Sequence, residues 1–126
     1  MVAMNFTFGP AEWLIPANLK LSTIRARNLK KEEQIVRSGK LQLYWKQRTP
    51  DCRLLGFRDL KKLTVIEMPL REFIRTAEPN IVYMEGFGHS WRDMMQFFEQ
   101  NYGMHIDIPG AFYMVEWWPA ARGASP

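Results

Sequence analysis

The chain has 126 residues, 47% of them hydrophobic and 24% charged, which is typical of one folded domain and unlike a disordered chain. One cysteine and two histidines exclude an intrachain disulfide and disfavour a zinc site, so we expect no metal and no cofactor. The chain contains no run of about 18 apolar residues, so no membrane span is predicted. Because the N-terminus also lacks the pattern of a secretory signal, we expect a cytoplasmic protein with no membrane contact.

The net charge of +4 is unevenly distributed along the chain. Residues 1–62 contain 13 Lys and Arg against 5 Asp and Glu, a net charge of +8, whereas residues 63–126 carry −4. A basic half indicates a surface that meets a polyanion, although a solvated lysine-rich surface would give the same count.

The hydrophobic pattern predicts an α+β fold, with strands at a period of two and helices at a period near 3.6. In chain order we predict a strand over 21–27, a helix over 30–38, strands over 40–47, 52–57 and 61–68, helices over 69–77 and 90–102, and a strand over 111–118. Closely spaced short strands favour a small barrel or sandwich. The domain is predicted to cover 1–118. Residues 119–126 are predicted to be a flexible tail, because small residues, Gly and Pro predominate there.

Strand alternation divides the candidate functional residues from the core. In the strand over 21–27, Thr23, Arg25 and Arg27 share one face. In the strand over 40–47, Trp45 is in step with two leucines and is predicted to be buried. Tyr44 then lies on the opposite face, where its ring is available to a ligand.

The helix over 90–102 has the strongest local signals. Ser90 is predicted to cap its first turn, and Asp93 to return the hydrogen bond as in a capping box. Gly103 stops the helix. One apolar stripe follows helical spacing: Trp91, Met94, Met95, Phe98 and Tyr102. The segment over 69–77 has two interpretations, a helix ended by Pro79 or an irregular connection.

The segment from Lys20 to Arg25, KLSTIR, resembles the K-x-x-T-I-R signature near the start of ASCH domains. Further segments resemble family elements in the family's order: 38–44, 55–57, 85–87 before the capped helix, and 115–117. The resemblance implies a small mixed PUA-like β-barrel with flanking helices and a cleft beside the barrel that binds RNA. Lys40 stands where the family often has an acidic residue, which leaves that end of the cleft more basic.

Some small bacterial members of the ASCH family share this motif and hydrolyse acetylated cytidine to cytidine. Their lysine, threonine and glutamate match Lys20, Thr23 and Glu85. A threonine hydroxyl needs a base, a lysine is a base only with a lowered pKa, and a carboxylate can pass the proton to the leaving amine. The alternative is structural, with Thr23 as an ordinary strand residue and Lys20 as surface charge.

A binding role would use the cations and one aromatic ring of the basic half. Cations contact phosphates while an exposed ring stacks on a base. The residues predicted for this role are Arg25, Arg27, Lys40, Tyr44, Lys46 and Arg48. Three function classes follow: a module that binds RNA or a nucleoside or nucleotide, a metal-independent amidohydrolase of N-acylated cytidine, and an adaptor that binds a protein through exposed aromatics.

Overall fold

The computed structural model describes residues 1–121, in which five strands and five α-helices occur. Residues 122–126, the end of the predicted tail, lie outside the described residues. The strands are β1 (Val2–Phe6), β2 (Ser22–Ala26), β3 (Lys40–Trp45), β4 (Arg53–Ile66) and β5 (Phe112–Trp117). The helices are α1 (Ala11–Leu14), α2 (Leu29–Ser38), α3 (Leu70–Thr76), α4 (Pro79–Met84) and α5 (Trp91–Tyr102), and a 3-10 helix follows over Gly103–Asp107.

The strands form one sheet in the order β1-β3-β4-β5-β2, in which β1 and β3 are parallel and the other neighbours antiparallel. The sheet curls into a half-barrel, so that its two edge strands, β1 and β2, face each other across an open seam. The Arg25 side chain on β2 crosses this seam and donates to the Asn5 carbonyl on β1 at 2.6 Å. The predicted α+β class, a small barrel with flanking helices, is confirmed at this level.

The predicted strands over 52–57 and 61–68 are a single strand of 14 residues, β4. Arg58 and Asp59, expected between two strands, are part of it. Arg58 points inward, where its guanidinium donates to the carbonyls of Phe57 at 2.8 Å and Ile15 at 2.9 Å. The first half of β4 pairs with β3 and the second half with β5, and each pairing contains a register shift. Such irregularities bend a strand, which is consistent with the curl of the sheet.

β1, α1, α4 and the 3-10 helix were not predicted. β1 buries Val2, Met4 and Phe6 and pairs with β3 through the register Val2 opposite Leu41. The helix α4 begins at Pro79, which was expected to end the preceding helix. Proline suits the first position of a helix because its missing N–H has no helical partner there.

The capping of α5 is confirmed in part. The Ser90 hydroxyl accepts from the Asp93 N–H at 3.1 Å, as predicted. The predicted hydrogen bond from the Ser90 N–H to the Asp93 side chain is replaced, because the Ser90 N–H donates to the Phe87 carbonyl at 3.1 Å. Met94, Met95 and Phe98 are buried, but Trp91 is 45% exposed, so its place in the apolar stripe was wrong.

Two clusters of buried side chains hold the fold together. The first fills the inside of the half-barrel and includes Trp45, which is buried as predicted. The second lies between strands β2 and β5 and helices α3 to α5, with Phe98 and Phe112 among its members. Within residues 1–121, no helix has the length and apolar character needed to cross a membrane.

Candidate functional site

A cavity of about 240 Å³ opens at the seam of the half-barrel. Lys20, Thr23, Arg25 and Glu85 all line it. Lys20 lies just before β2, Thr23 and Arg25 lie on β2, and Glu85 is the C-terminal cap of α4. The structure therefore brings together the four residues that the sequence singled out around the K-x-x-T-I-R segment and the glutamate before α5.

Lys20 is buried, with 4% of its surface exposed, and its ammonium donates to the backbone carbonyl of Glu85 at 2.6 Å. The ammonium also lies 5.9 Å and 5.8 Å from the ring centroids of Phe6 and Phe8. Burial lowers the pKa of Lys20 to about 8; the Glu85 charge opposes this change and the Arg25 charge adds to it. An amine with this pKa can accept a proton near neutral pH.

Glu85 is held by a residue that sequence reasoning did not single out as functional. The Ser22 hydroxyl donates to the Glu85 carboxylate, and both side chains are buried. The next residue, Gly86, has a φ of +99°, and a Cβ there would lie 3.2 Å from both Leu14 and Phe8. Glycine thus allows the chain to turn directly behind Glu85 and to pass close to the first core cluster.

Thr23 and Arg25 are joined within the strand. Arg25 Nε donates to Thr23 Oγ1 at 3.1 Å, while the Arg25 guanidinium lies 4.8 Å from the Phe6 ring centroid. Burial lowers the pKa of Arg25 from its ordinary value; the Tyr102, Tyr113 and Glu85 charges oppose this. Because Thr23 Oγ1 accepts from Arg25, its own proton is available to another acceptor.

Aromatic rings form the remaining wall of the cavity. Phe8, Phe87 and Phe97 contact one another, with centroid separations of 4.9 to 5.5 Å. Phe98 and Tyr102 also line the cavity, although the pattern of α5 predicted them as core. The amides of Asn5 and Asn101 add polar groups. Flat rings with a few polar groups are typical of a site for a planar ligand.

Two of the predicted binding cations lie outside this cavity and are ion-paired. Arg27 Nε donates to both carboxylate oxygens of Glu32 at 3.0 Å. Lys40 pairs with Asp59 directly across the β3–β4 ladder. Their charges are therefore largely compensated by neighbouring carboxylates.

The other predicted binding residues lie on β3 or shortly after it, and none of them lines the cavity. Tyr44 is half-buried, and Lys46 lies over the Trp45 ring at 5.3 Å from its centroid. Arg48 is exposed in the turn before β4 and has a φ of +66°. The structure thus separates these three residues from Lys20, Thr23 and Glu85.

Sequence reasoning also missed Asn5, Phe6 and Phe8, which approach the cavity from the N-terminal segment. Phe6 and Phe8 alternate at the end of β1, which is the local signal that could have indicated a strand edge. Ser22 shares a predicted strand face with Ile24, so a hydroxyl at that inward position could have indicated a buried polar partner.

No protein-family model matches the chain, and no curated protein matches its sequence. Among solved structures, the chain is similar to the crystal structure of hypothetical protein PH0355. The TM-score is 0.62 and the identity 15%, over 94% of this chain and 98% of that one. At this identity the similarity shows a common fold alone, and the resemblance to the ASCH family stays a prediction.

Proposed function

We propose that the cavity binds a nucleoside or nucleotide and that Lys20, Thr23 and Glu85 hydrolyse an acyl amide on its exocyclic amine. The observation that carries this proposal is the convergence of these three side chains with Arg25 in one cavity. The resemblance to ASCH domains points to the same three positions. We infer accordingly that the domain is ASCH-like, with a PUA-like barrel.

The shape of the cavity favours a small ligand over a polynucleotide. Its volume of about 240 Å³ lies just below the usual range of ligand pockets, about 300–1,000 Å³. Its aromatic wall suits a planar base. An RNA-binding surface has weaker support, because two of the cations expected for it, Arg27 and Lys40, already pair with carboxylates.

The proposed reaction starts at the Thr23 hydroxyl. Lys20 in its free-base form accepts the Thr23 proton while Thr23 Oγ1 attacks the acyl carbon. The carbon–nitrogen bond then breaks, and the proton passes from Lys20 through Glu85 to the departing amine. Water, deprotonated by Lys20, then attacks the resulting ester, the bond between the acyl carbon and Thr23 Oγ1 breaks, and Lys20 returns the proton to Oγ1. The cycle consumes one water and yields the free amine and a carboxylic acid.

The other contacts prepare these groups for their roles. With a pKa of about 8, roughly one-tenth of Lys20 is a free base at pH 7. The Arg25 bond to Thr23 Oγ1 fixes the orientation of the nucleophile. The Ser22 hydroxyl holds the Glu85 carboxylate in place, so that Glu85 acts from a fixed position.

The test is to incubate purified protein with N4-acetylcytidine and to follow cytidine release by chromatography. Thr23→Val removes the hydroxyl at nearly constant shape, and Thr23→Ser restores a hydroxyl. Thr76→Val serves as the matched control, because Thr76 lies on α3 with its hydroxyl bonded to the Glu72 carbonyl. We expect turnover by the unmodified protein, the serine variant and the control, and none by Thr23→Val.

Cytidine release by Thr23→Val at the rate of the unmodified protein would refute Thr23 as the nucleophile. Calorimetric titration with cytidine tests binding separately from turnover. If cytidine binds but no acyl group is released across several acyl chain lengths, the hydrolytic part of the proposal is wrong and the binding part stands.

A further inference from the structure

The open seam between β1 and β2 is bridged by two cationic side chains. Arg25 donates to the Asn5 carbonyl at 2.6 Å, and Lys31, in the first turn of α2, donates to the Ala3 carbonyl at 2.5 Å. Ala3 and Asn5 are two residues apart on β1, so their carbonyls point toward the same edge about 7 Å apart. Both cations are thus anchored side by side along one strand edge.

A second cavity, of about 380 Å³, adjoins the first at this place. Arg25 and Asn5 line both cavities, and the second one continues to Lys31. Its other polar lining residues include the amides of Asn28 and Gln47 and the hydroxyl-bearing Tyr113. A ligand with its ring in the first cavity could therefore extend past Arg25 toward Lys31.

The two cations have no carboxylate partner among residues 1–121. Neither Arg25 nor Lys31 takes part in the ion pairs of that part of the chain. Glu32, on the same helix as Lys31, is occupied by Arg27 and by the Asn28 N–H. Burial and the Arg25 charge both lower the pKa of Lys31, as expected for neighbouring charges of the same sign.

Both cations also keep unused donors. Arg25 has five N–H groups, of which two act in the hydrogen bonds described. Lys31 has three, of which one is used. A phosphate between them could accept from both side chains and compensate their charges.

We infer that Arg25 and Lys31 form an anion subsite for the phosphate of a nucleotide whose base occupies the aromatic cavity. This inference rests on the proposed function for the position of the base. It specifies the substrate class: a phosphorylated nucleoside is bound in preference to the free nucleoside.

The test compares the affinities of the full chain for cytidine, cytidine 5′-monophosphate, cytidine 3′-monophosphate and inorganic phosphate by calorimetry. We expect at least one monophosphate to bind about tenfold more tightly than cytidine, a gain typical of one charge-assisted contact. Lys31→Met should abolish this preference and leave the affinity for cytidine unchanged. Lys30→Met, an exposed neighbour on the same helix, should behave like the unmodified protein.

The possible failures are distinguishable. Equal affinity for cytidine and both monophosphates would overturn the anion subsite and leave the proposed function intact. If Lys30→Met and Lys31→Met lose the preference for a monophosphate equally, the anion subsite is also overturned, because general surface charge would then explain that preference. Binding of phosphate compounds that depends on Lys31, without any binding of cytidine, would support the subsite and refute the proposed nucleoside site. Melting temperatures of both variants establish that they are folded.

Discussion

Replacing the buried Lys20 by Met tests the electrostatics of the cavity independently of any ligand. Methionine keeps the length and the apolar stem of the side chain and removes its charge. The pKa of Lys20 falls from 10.5 to about 8, mainly through burial, which corresponds to a cost of about 3 kcal/mol for the charged form in the folded protein. At pH 7 the Lys20→Met protein avoids this cost but loses the ammonium that donates to the Glu85 carbonyl, and it should be inactive.

The sign of the pH dependence follows from proton counting. Unfolded chains keep this lysine protonated up to about pH 10.5, whereas the folded protein releases the proton near pH 8. Between these values the unfolded state binds more protons, so the stability of the unmodified protein rises with pH. The stability gained from the neutral form of Lys20 is fully present above pH 10.5 and is lost as the pH falls through about 8.

The assay is urea unfolding of both proteins at constant ionic strength from pH 7 to pH 10.5. Other titrating groups are the same in both proteins, so the difference in unfolding free energy isolates Lys20. We expect that difference to change by about 3 kcal/mol in favour of the unmodified protein. Lys30→Met, at an exposed position, should show no such change. If the unfolding free energies of the unmodified and Lys20→Met proteins change with pH in the same way, the lowered pKa of Lys20 is refuted.

Three other predictions test the site and the core. The kcat/KM of acetylcytidine hydrolysis should rise with pH and level off above about 8, the pKa of Lys20. Arg25→Gln should move this rise to higher pH, because it removes a cation that lowers the pKa of Lys20. A kcat/KM that does not change with pH would contradict Lys20 as the base. Ser22→Ala should lower the unfolding free energy by about 1–3 kcal/mol in urea titrations, since the buried Glu85 carboxylate loses its donor; an unchanged midpoint would show that this bond contributes nothing. Phe98→Ala should cost about 3–5 kcal/mol in the same assay, because its ring is buried in the second cluster, and an unaltered stability would mean that the ring is not in the core.

Sequence patterns predicted the elements whose ends are set by neighbouring residues. Ser90 and Gly103 mark the two ends of α5 through a bond and a dihedral angle within one turn. By contrast, β4 was divided in two because Arg58 and Asp59 resemble a charged connection. Arg58 is instead buried, with its guanidinium bonded to the carbonyl of Ile15, 43 residues away along the chain. A hydrogen-bond partner so far away along the chain cannot be predicted from the residues next to Arg58.

The candidate site was predictable only through the family resemblance. Nothing in the local pattern links Lys20 to Glu85, which are 65 residues apart and meet through a single hydrogen bond. The prediction that the surface cations bind a ligand lacks support for a related reason. Lys40 was counted as an available charge, but the register of β3 and β4 places it opposite Asp59. A sequence shows how many charges a chain has, whereas strand register decides which of them are compensated.

The strand that carries Thr23 and Arg25 has its only described strand partner near the other end of the chain. β2 pairs with β5, with Ser22 opposite Glu116. During synthesis from the N-terminus, β2 leaves the ribosome long before β5 exists, whereas β1 can pair with β3 much earlier. β2 therefore cannot take its place in the sheet beside the seam until residue 117 has been released. The cavity is consequently among the last parts of the domain to form, and a chain that stops before β5 would lack it.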